Sequence, residues 1–280
     1  MLYQSMQGIS IASAITVILL IWLGTLRNPL KAAYLFIKEL LTSRTFLVLF
    51  FIMVCILLAN KYELDLENNL NYHKDFTPWV FSLEGHFVEN LQNFFHSSYI
   101  TPISVFFYVV VFQSLLIASI GVYISDQNKV FVIAICFAII INYTVAIPFY
   151  LFFPVNEVWS YPPSGASFLM LDVFPNFEQQ YRPLSGLNNC FPSLHTSISV
   201  TLMVLGLRSG NRRLGIITTI SAIVIIFSIF YLGIHWLTDM VAGTLLGLLA
   251  SNLGILFAKL TLKEKGFSML KQQSKMSDSM

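Results

Sequence analysis

Seven apolar runs follow one another along the chain, at about 8–25, 45–60, 100–124, 130–153, 194–207, 214–232 and 235–258. A helix needs roughly 20 predominantly apolar residues to cross a bilayer. The 280 residues are 56% hydrophobic and only 11% charged, against about 25% charged in an ordinary soluble domain. A soluble core of this size could not take up so many apolar side chains, so lipid must cover them. The reading is an all-α polytopic transmembrane helix bundle of about seven spans. Two runs are short. The second is backed by Arg44, whose side chain can snorkel. The fifth gains length if it starts within Cys190-Phe191-Pro192-Ser193-Leu194-His195 and that turn is buried in protein. The first run follows MLYQSMQ, which holds no basic residue, and no small-x-small cleavage site follows it. It reads as a retained span rather than a signal peptide.

Basic residues in short loops set the orientation. Arg27, Lys31, Lys38 and Arg44 lie in 26–44, Lys129 in 125–129, and Arg208, Arg212 and Arg213 in 208–213. Lys259, Lys263, Lys265, Lys271 and Lys275 follow the last run. With seven spans these segments share one side, so the N-terminus is expected outside and the C-terminus in the cytosol. The chain then divides into two N-terminal spans with an extracytoplasmic loop (1–99), a core (100–258) and a basic cytosolic tail (259–280). Within the loop, Phe87, Leu91, Phe94 and Phe95 recur at helical spacing and predict an interfacial amphipathic helix. Segment 154–193, rich in Pro, Gly and aromatics, is longer than a connector needs, and loops of that length are commonly functional. Gln113 and Asn142 are single polar groups inside spans and are expected to hydrogen-bond between helices.

Three features with chemistry converge on the outer side. Pro192-Ser193-Leu194-His195 stands where the long loop enters the fifth run. Pro and Ser are good helix-start residues, and a helix N-terminus is a ready site for phosphate. His235 and Asp239 open the seventh run at i and i+4, on one helix face; a carboxylate beside an imidazole fixes its tautomer and raises its basicity. An acid inside an apolar helix is functional by default. Gly243 and Gly247 continue that face and would admit a neighbouring helix closely. Tyr181-Arg182-Pro183 precedes the PSLH turn, and an Arg there offers a planar fork for phosphate. His73, His86 and His96 read as loop residues. Cys55, Cys136 and Cys190 are scattered and fit neither a disulfide framework nor zinc spacing, so no metal or other cofactor is expected. No nucleic-acid partner is expected either.

FPSLHTS followed about forty residues later by HWLTD resembles the phosphatidic acid phosphatase type 2 superfamily, which also includes vanadium haloperoxidases. The PSLH form is similar to the branch containing the inositol phosphorylceramide synthases. The resemblance covers roughly 100–258 and implies a six-helix-type phosphatase core. Its three motifs are matched residue by residue. In Lys-x6-Arg-Pro, Arg182 and Pro183 match while Pro175 replaces the Lys. In Pro-Ser-Gly-His, Pro192, Ser193 and His195 match while Leu194 replaces the Gly. In Ser-Arg-x5-His-x3-Asp, Ser228, His235 and Asp239 match while Ile229 replaces the Arg. The triad carries over, two basic phosphate ligands do not, and the loss of those bases argues against vanadate chemistry.

The resemblance implies metal-free phosphoryl transfer through a phosphohistidine. His235 would attack phosphorus with Asp239 behind it, and His195 would protonate the leaving oxygen and then activate the acceptor. Ser193 and Arg182 would hold the phosphate. The expected function is a membrane lipid phosphate or polyprenyl diphosphate phosphatase with its site on the extracytoplasmic face. The alternatives are a head-group transferase from phospholipid to an alcohol, and a non-catalytic transporter or scaffold.

Overall fold

The structure, a computed structural model, describes residues 5–70 and 74–277, without the side chains of 60–70, 184 and 264–277. His73 and residues 278–280 of the basic tail lie outside the described residues. In chain order the α-helices are α1 (Met6–Thr25), α2 (Pro29–Thr42), α3 (Arg44–Leu70), α4 (Thr77–Glu84), α5 (Phe87–Phe95), α6 (Ile100–Phe106), α7 (Phe112–Ser125), α8 (Lys129–Phe152), α9 (Phe177–Gln180), α10 (Arg182–Ser185), α11 (Leu194–Arg208), α12 (Arg212–Tyr231) and α13 (Leu237–Ser277). A π-helical turn at Phe107–Val111 joins α6 to α7 without a break. The fold is all-α, as the run pattern predicts.

All seven apolar runs are helical, but they are not equal as spans. Met6–Thr25, Ile100–Ser125, Lys129–Phe152, Arg212–Tyr231 and Leu237–Lys263 are long and apolar enough to cross a membrane. The second run is one arm of a pair, α2 and α3, bent by 105°. Segment 26–44, a loop by its charge pattern, is mostly helical. Asn28 caps α2 through its side chain, accepting from the Leu30 N–H at 2.9 Å, and Pro29 follows at the first helical position, where a missing N–H costs nothing. The fifth run does not start early. α11 has 15 residues, about 22 Å of rise, short of the ~30 Å hydrocarbon layer. The turn before it is buried in protein but not helical. Beyond the last run α13 continues unbroken through most of the expected tail.

α13 packs along α8 and α11, α11 against α12, α3 against α8, and α1 and α2 against α7. The approach of α13 to α11 depends on two glycines. A Cβ on Gly243 would stand 2.6 Å from the Ser193 carbonyl, and one on Gly247 would crowd the Ser197 carbonyl and the Val200 side chain. The expected interhelical bonds form: Gln113 donates to Ser13 Oγ at 2.7 Å and Asn142 to Thr201 Oγ1 at 3.0 Å. Ile11, Ile15 and Ile18 on α1 and Leu245, Leu249 and Leu256 on α13 remain exposed, the surface that lipid must cover.

α5 forms where the helical spacing predicts it, but it is packed into the protein as well as exposed. Phe87 meets Phe230 and Phe95 meets Phe227 edge-on, while Phe94 faces outward. Its buried Gln92 donates to the carbonyls of Ser167 and Tyr231 at 2.7 and 3.0 Å. Segment 154–193 folds down as a plug. Val155 N–H donates to Asn188 O, Cys190 N–H to Val155 O, and Val158 and Trp159 N–H to the carbonyls of Ile234 and Gly233. These bonds tie the plug to the turn that leads into α13.

Candidate active site

Ser193 opens α11 as its N-cap. Its Oγ accepts from Thr196 N–H at 3.2 Å, and its own N–H donates to the Asp239 carbonyl at 3.1 Å, which fixes the start of α11 against α13. The Phe191–Pro192 peptide is cis, and the Pro192 carbonyl accepts from Tyr150 OH at 3.1 Å. His195 follows in the first turn of the helix. Its ring lies flat on Tyr108, with centroids 4.1 Å apart, and against Phe112 at 4.2 Å. Tyr108 belongs to the π-helical turn, a distortion that concentrates at functional sites. Among the described residues, the buried Nε2 of His195 has no hydrogen-bond partner. A buried polar atom left so costs stability.

His235 was expected on the first turn of a helix, but α13 begins two residues later and His235 stands in the entry turn. It still reaches Asp239, with Nδ1 3.3 Å from Oδ2. The same Oδ2 accepts from Trp236 N–H at 2.9 Å, so Asp239 caps its own helix while facing the imidazole. A second carboxylate arrives from α4. Glu84 accepts from the N–H groups of Leu237 and Thr238 at 2.6 and 2.5 Å and from the Thr238 hydroxyl. Burial pushes the Glu84 carboxyl above its usual range, and its bonds from Thr238 and Leu237 pull it back. No local pattern in the sequence announces Glu84, which acts across a separation of about 150 residues. Glu84→Ala should cost about 1 kcal/mol, the usual worth of an N-cap, and loosen the His235 turn. Thermal unfolding of the purified protein beside turnover measures both.

His195 and His235 line one cavity of about 150 Å3, with Tyr108, Tyr143, Tyr150, Tyr181, Glu157 and Cys190 among its walls. Their ring centroids are 6.1 Å apart. The cavity lies below the ~300–1,000 Å3 of drug-sized sites, so it suits a head group rather than a whole lipid. Burial pushes the Tyr181 hydroxyl up to about 12, which keeps it a neutral donor. Ser193 is fully buried and is not among the cavity walls.

Arg182 also stands outside the cavity, behind Glu157. Its Nη1 donates to Glu157 Oε1 at 2.6 Å and to the Gly186 carbonyl at 2.8 Å, its Nη2 to Glu157 Oε2 at 2.9 Å and Glu178 Oε1 at 2.8 Å, and its Nε to Glu178 Oε2 at 3.1 Å. That accounts for all five N–H donors of a guanidinium. The face of the group lies near Phe168 and Phe177. Burial would lower its pKa, but the two carboxylates hold it above the ordinary value. Burial pushes Glu157 up, and Arg182 opposes that. Ile229, where the resembling motif has a base, is fully buried in an apolar cluster, and Pro175 is exposed. Among the described residues that line the cavity, none is a Lys or an Arg.

Cys190, His235 and Asp239 each offer a ligand atom, all within 4.8 Å of one another. A metal there would need the Cys190 thiolate. Burial pushes that thiol well up, and its Sγ–H faces the Ile234 carbonyl at 3.6 Å. The set fits a metal poorly, because it would also take Asp239 from His235.

No curated protein and no solved structure matches the chain. A family model described as the PAP2 superfamily matches residues 81–253. The match reaches farther toward the N-terminus than the motif resemblance, taking in Glu84 and α5. It spans more than half of the chain, and with the PSLH turn and the His235–Asp239 pair inside it, this protein belongs to the PAP2 superfamily.

Proposed function

We propose that the protein is a lipid phosphatase that works through a phosphohistidine on His235. Family membership supports a phosphoesterase or phosphotransferase of the membrane. The observation that carries the finer reading is the shared cavity, with His235 backed by Asp239 on one side and the unpartnered Nε2 of His195 on the other. With Nδ1 turned to the carboxylate, Nε2 of His235 is the nitrogen left for phosphorus. The N–P bond forms as the bond to the lipid oxygen breaks, and His195 gives that oxygen its proton. Water then attacks, His195 takes a proton back, and phosphate leaves. Asp239 stabilises the cationic ring of the phosphorylated intermediate. Ser193 and Arg182 support this site from behind, the first by capping α11 and the second by holding Glu157.

A second reading rests on one observation: among the described residues, no uncommitted cation lines the cavity. A phosphomonoester dianion beside Glu157 would be poorly neutralised, whereas a phosphodiester carries one charge less. Tyrosine hydroxyls could hold such a group without a full positive charge. That favours a phospholipid donor and an alcohol acceptor, the transferase alternative.

Purified protein incubated with labelled lipid phosphate, and separately with labelled phospholipid with and without alcohols, tells the two apart. Free phosphate from the first supports hydrolysis. An alcohol-dependent product from the second supports transfer. Neither product from any tested lipid would overturn both. The extracytoplasmic placement is tested by labelling a cysteine at position 185, which lines the cavity. Access from the cytosol alone would overturn it. Dialysis against a chelator should leave turnover unchanged. A loss restored by zinc would instead assign Cys190, His235 and Asp239 as a metal centre.

A further inference from the structure

A second, open cavity of about 870 Å3 lies at the other end of the bundle and is lined by Arg27, Arg212 and Arg213. α11 separates it from His195 by about 20 Å. Three turns build it and lock onto one another. Asn211 donates to the Gly24 carbonyl at 2.9 Å and to Asp126 at 2.7 Å, Asn128 to the Ser209 carbonyl at 3.0 Å, and Arg27 to the Ser125 carbonyl at 2.9 Å. Asp126 is the one acid among the described lining residues, and Asn211 and Arg27 already engage it. No described residue pairs with the exposed guanidinium groups of Arg212 and Arg213, in contrast to Arg182. The cavity therefore holds a net positive charge with two free forks, the geometry that suits phosphate oxygens.

An orientation signal needs only basic residues in a loop. It does not need them gathered in a cavity, nor the apolar track that leaves this one. Ile216 forms part of the cavity wall, and Ile216, Ile220 and Ile223 stay exposed along one side of α12, at i, i+4 and i+7. We infer that this cavity binds the head group of an acidic phospholipid, with an acyl chain lying along Ile216, Ile220 and Ile223. The track is what selects a lipid over a free anion, because a soluble phosphate has no use for it. Basic pockets between spanning helices suit such head groups.

The test reconstitutes the full chain in vesicles of mixed acidic and zwitterionic phospholipid, extracts it in mild detergent, and counts the retained lipid by mass spectrometry. Retention of the acidic lipid should exceed its share of the vesicle. R212Q/R213Q should reduce that excess roughly tenfold or more, as expected for two basic groups near a membrane surface. Gln127→Glu places a carboxylate at a cavity-lining position and removes no basic residue, so it leaves the topology charges in place. It should reduce the excess as well. Enrichment that survives both variants overturns the inference, as does displacement of the lipid by millimolar inorganic phosphate, which would mark a free-anion site. The result is independent of the histidine cavity, since neither variant touches it.

Discussion

His235→Ala should abolish the phosphorylated protein and lower turnover by a factor on the order of 10^3 or more, whereas His195→Ala should depend on the substrate. A positioned acid contributes typically ~10^2–10^4-fold, but only where the departing oxygen needs its proton. With an alkyl lipid as leaving group, His195→Ala should fall in that range. With an aryl phosphate, whose leaving oxygen is stable as an anion, formation of the intermediate should recover most of its rate. The deficit then moves to the second step, so His195→Ala accumulates phosphohistidine while His235→Ala shows none. Quenched-flow trapping of acid-labile, base-stable phosphoprotein reads this directly. Equal loss on both substrates with no trapped intermediate would remove His195 from the acid role. Wild-type turnover in both variants would remove the mechanism altogether. Asp239 is expected to behave differently again, because its carboxylate caps α13 as well as facing His235. Its removal should cost stability along with rate.

How far the sequence carries these conclusions depends on the range of the interaction. Apolar runs of near span length are local, and every one of them is helical. The PSLH and HWLTD segments are local too, and they bring His195 and His235 to one cavity. Gln113, Asn142, Gly243 and Gly247 were legible because a polar group or a glycine in an apolar helix has few other uses. What the sequence did not disclose is made by partners far apart in the chain. Arg182 reads as a phosphate fork until Glu157 and Glu178 are seen to take its donors. Glu84 is one acid in a loop until α4 carries it to the start of α13. Tyr108 is one aromatic among many until the π-helical turn stacks it on His195. The missed α2 is a different case. Asn28 and Pro29 are a local start signal, but Arg27, Lys31, Lys38 and Arg44 around them have the pattern of a basic loop.

Gly243→Val should cost activity far beyond its cost in stability, and Gly254→Val supplies the contrast. The two glycines lie on the same helix, and an added Cβ meets a carbonyl oxygen at 2.6 Å in the first and 2.7 Å in the second. Overpacking of this kind costs about 1–3 kcal/mol, so the two variants should unfold at similarly lowered temperatures. Their neighbours differ. The Gly243 clash is with the carbonyl of Ser193, two residues before His195, so relief of it moves the start of α11 away from α13. That start is also held by the Ser193 N–H to the Asp239 carbonyl, so the shift separates His195 from the His235–Asp239 pair. A displacement of about 1 Å can cost on the order of 100-fold in rate. The Gly254 clash is with Ala134 on α8, about 16 Å farther along α13, and its relief leaves the histidines in place. Turnover at matched folded fraction should therefore fall about 100-fold in Gly243→Val and little in Gly254→Val. Equal turnover in the two would mean that the spacing of α11 and α13 at Ser193 does not set the distance between the histidines. The close approach permitted by Gly243 would then serve packing alone.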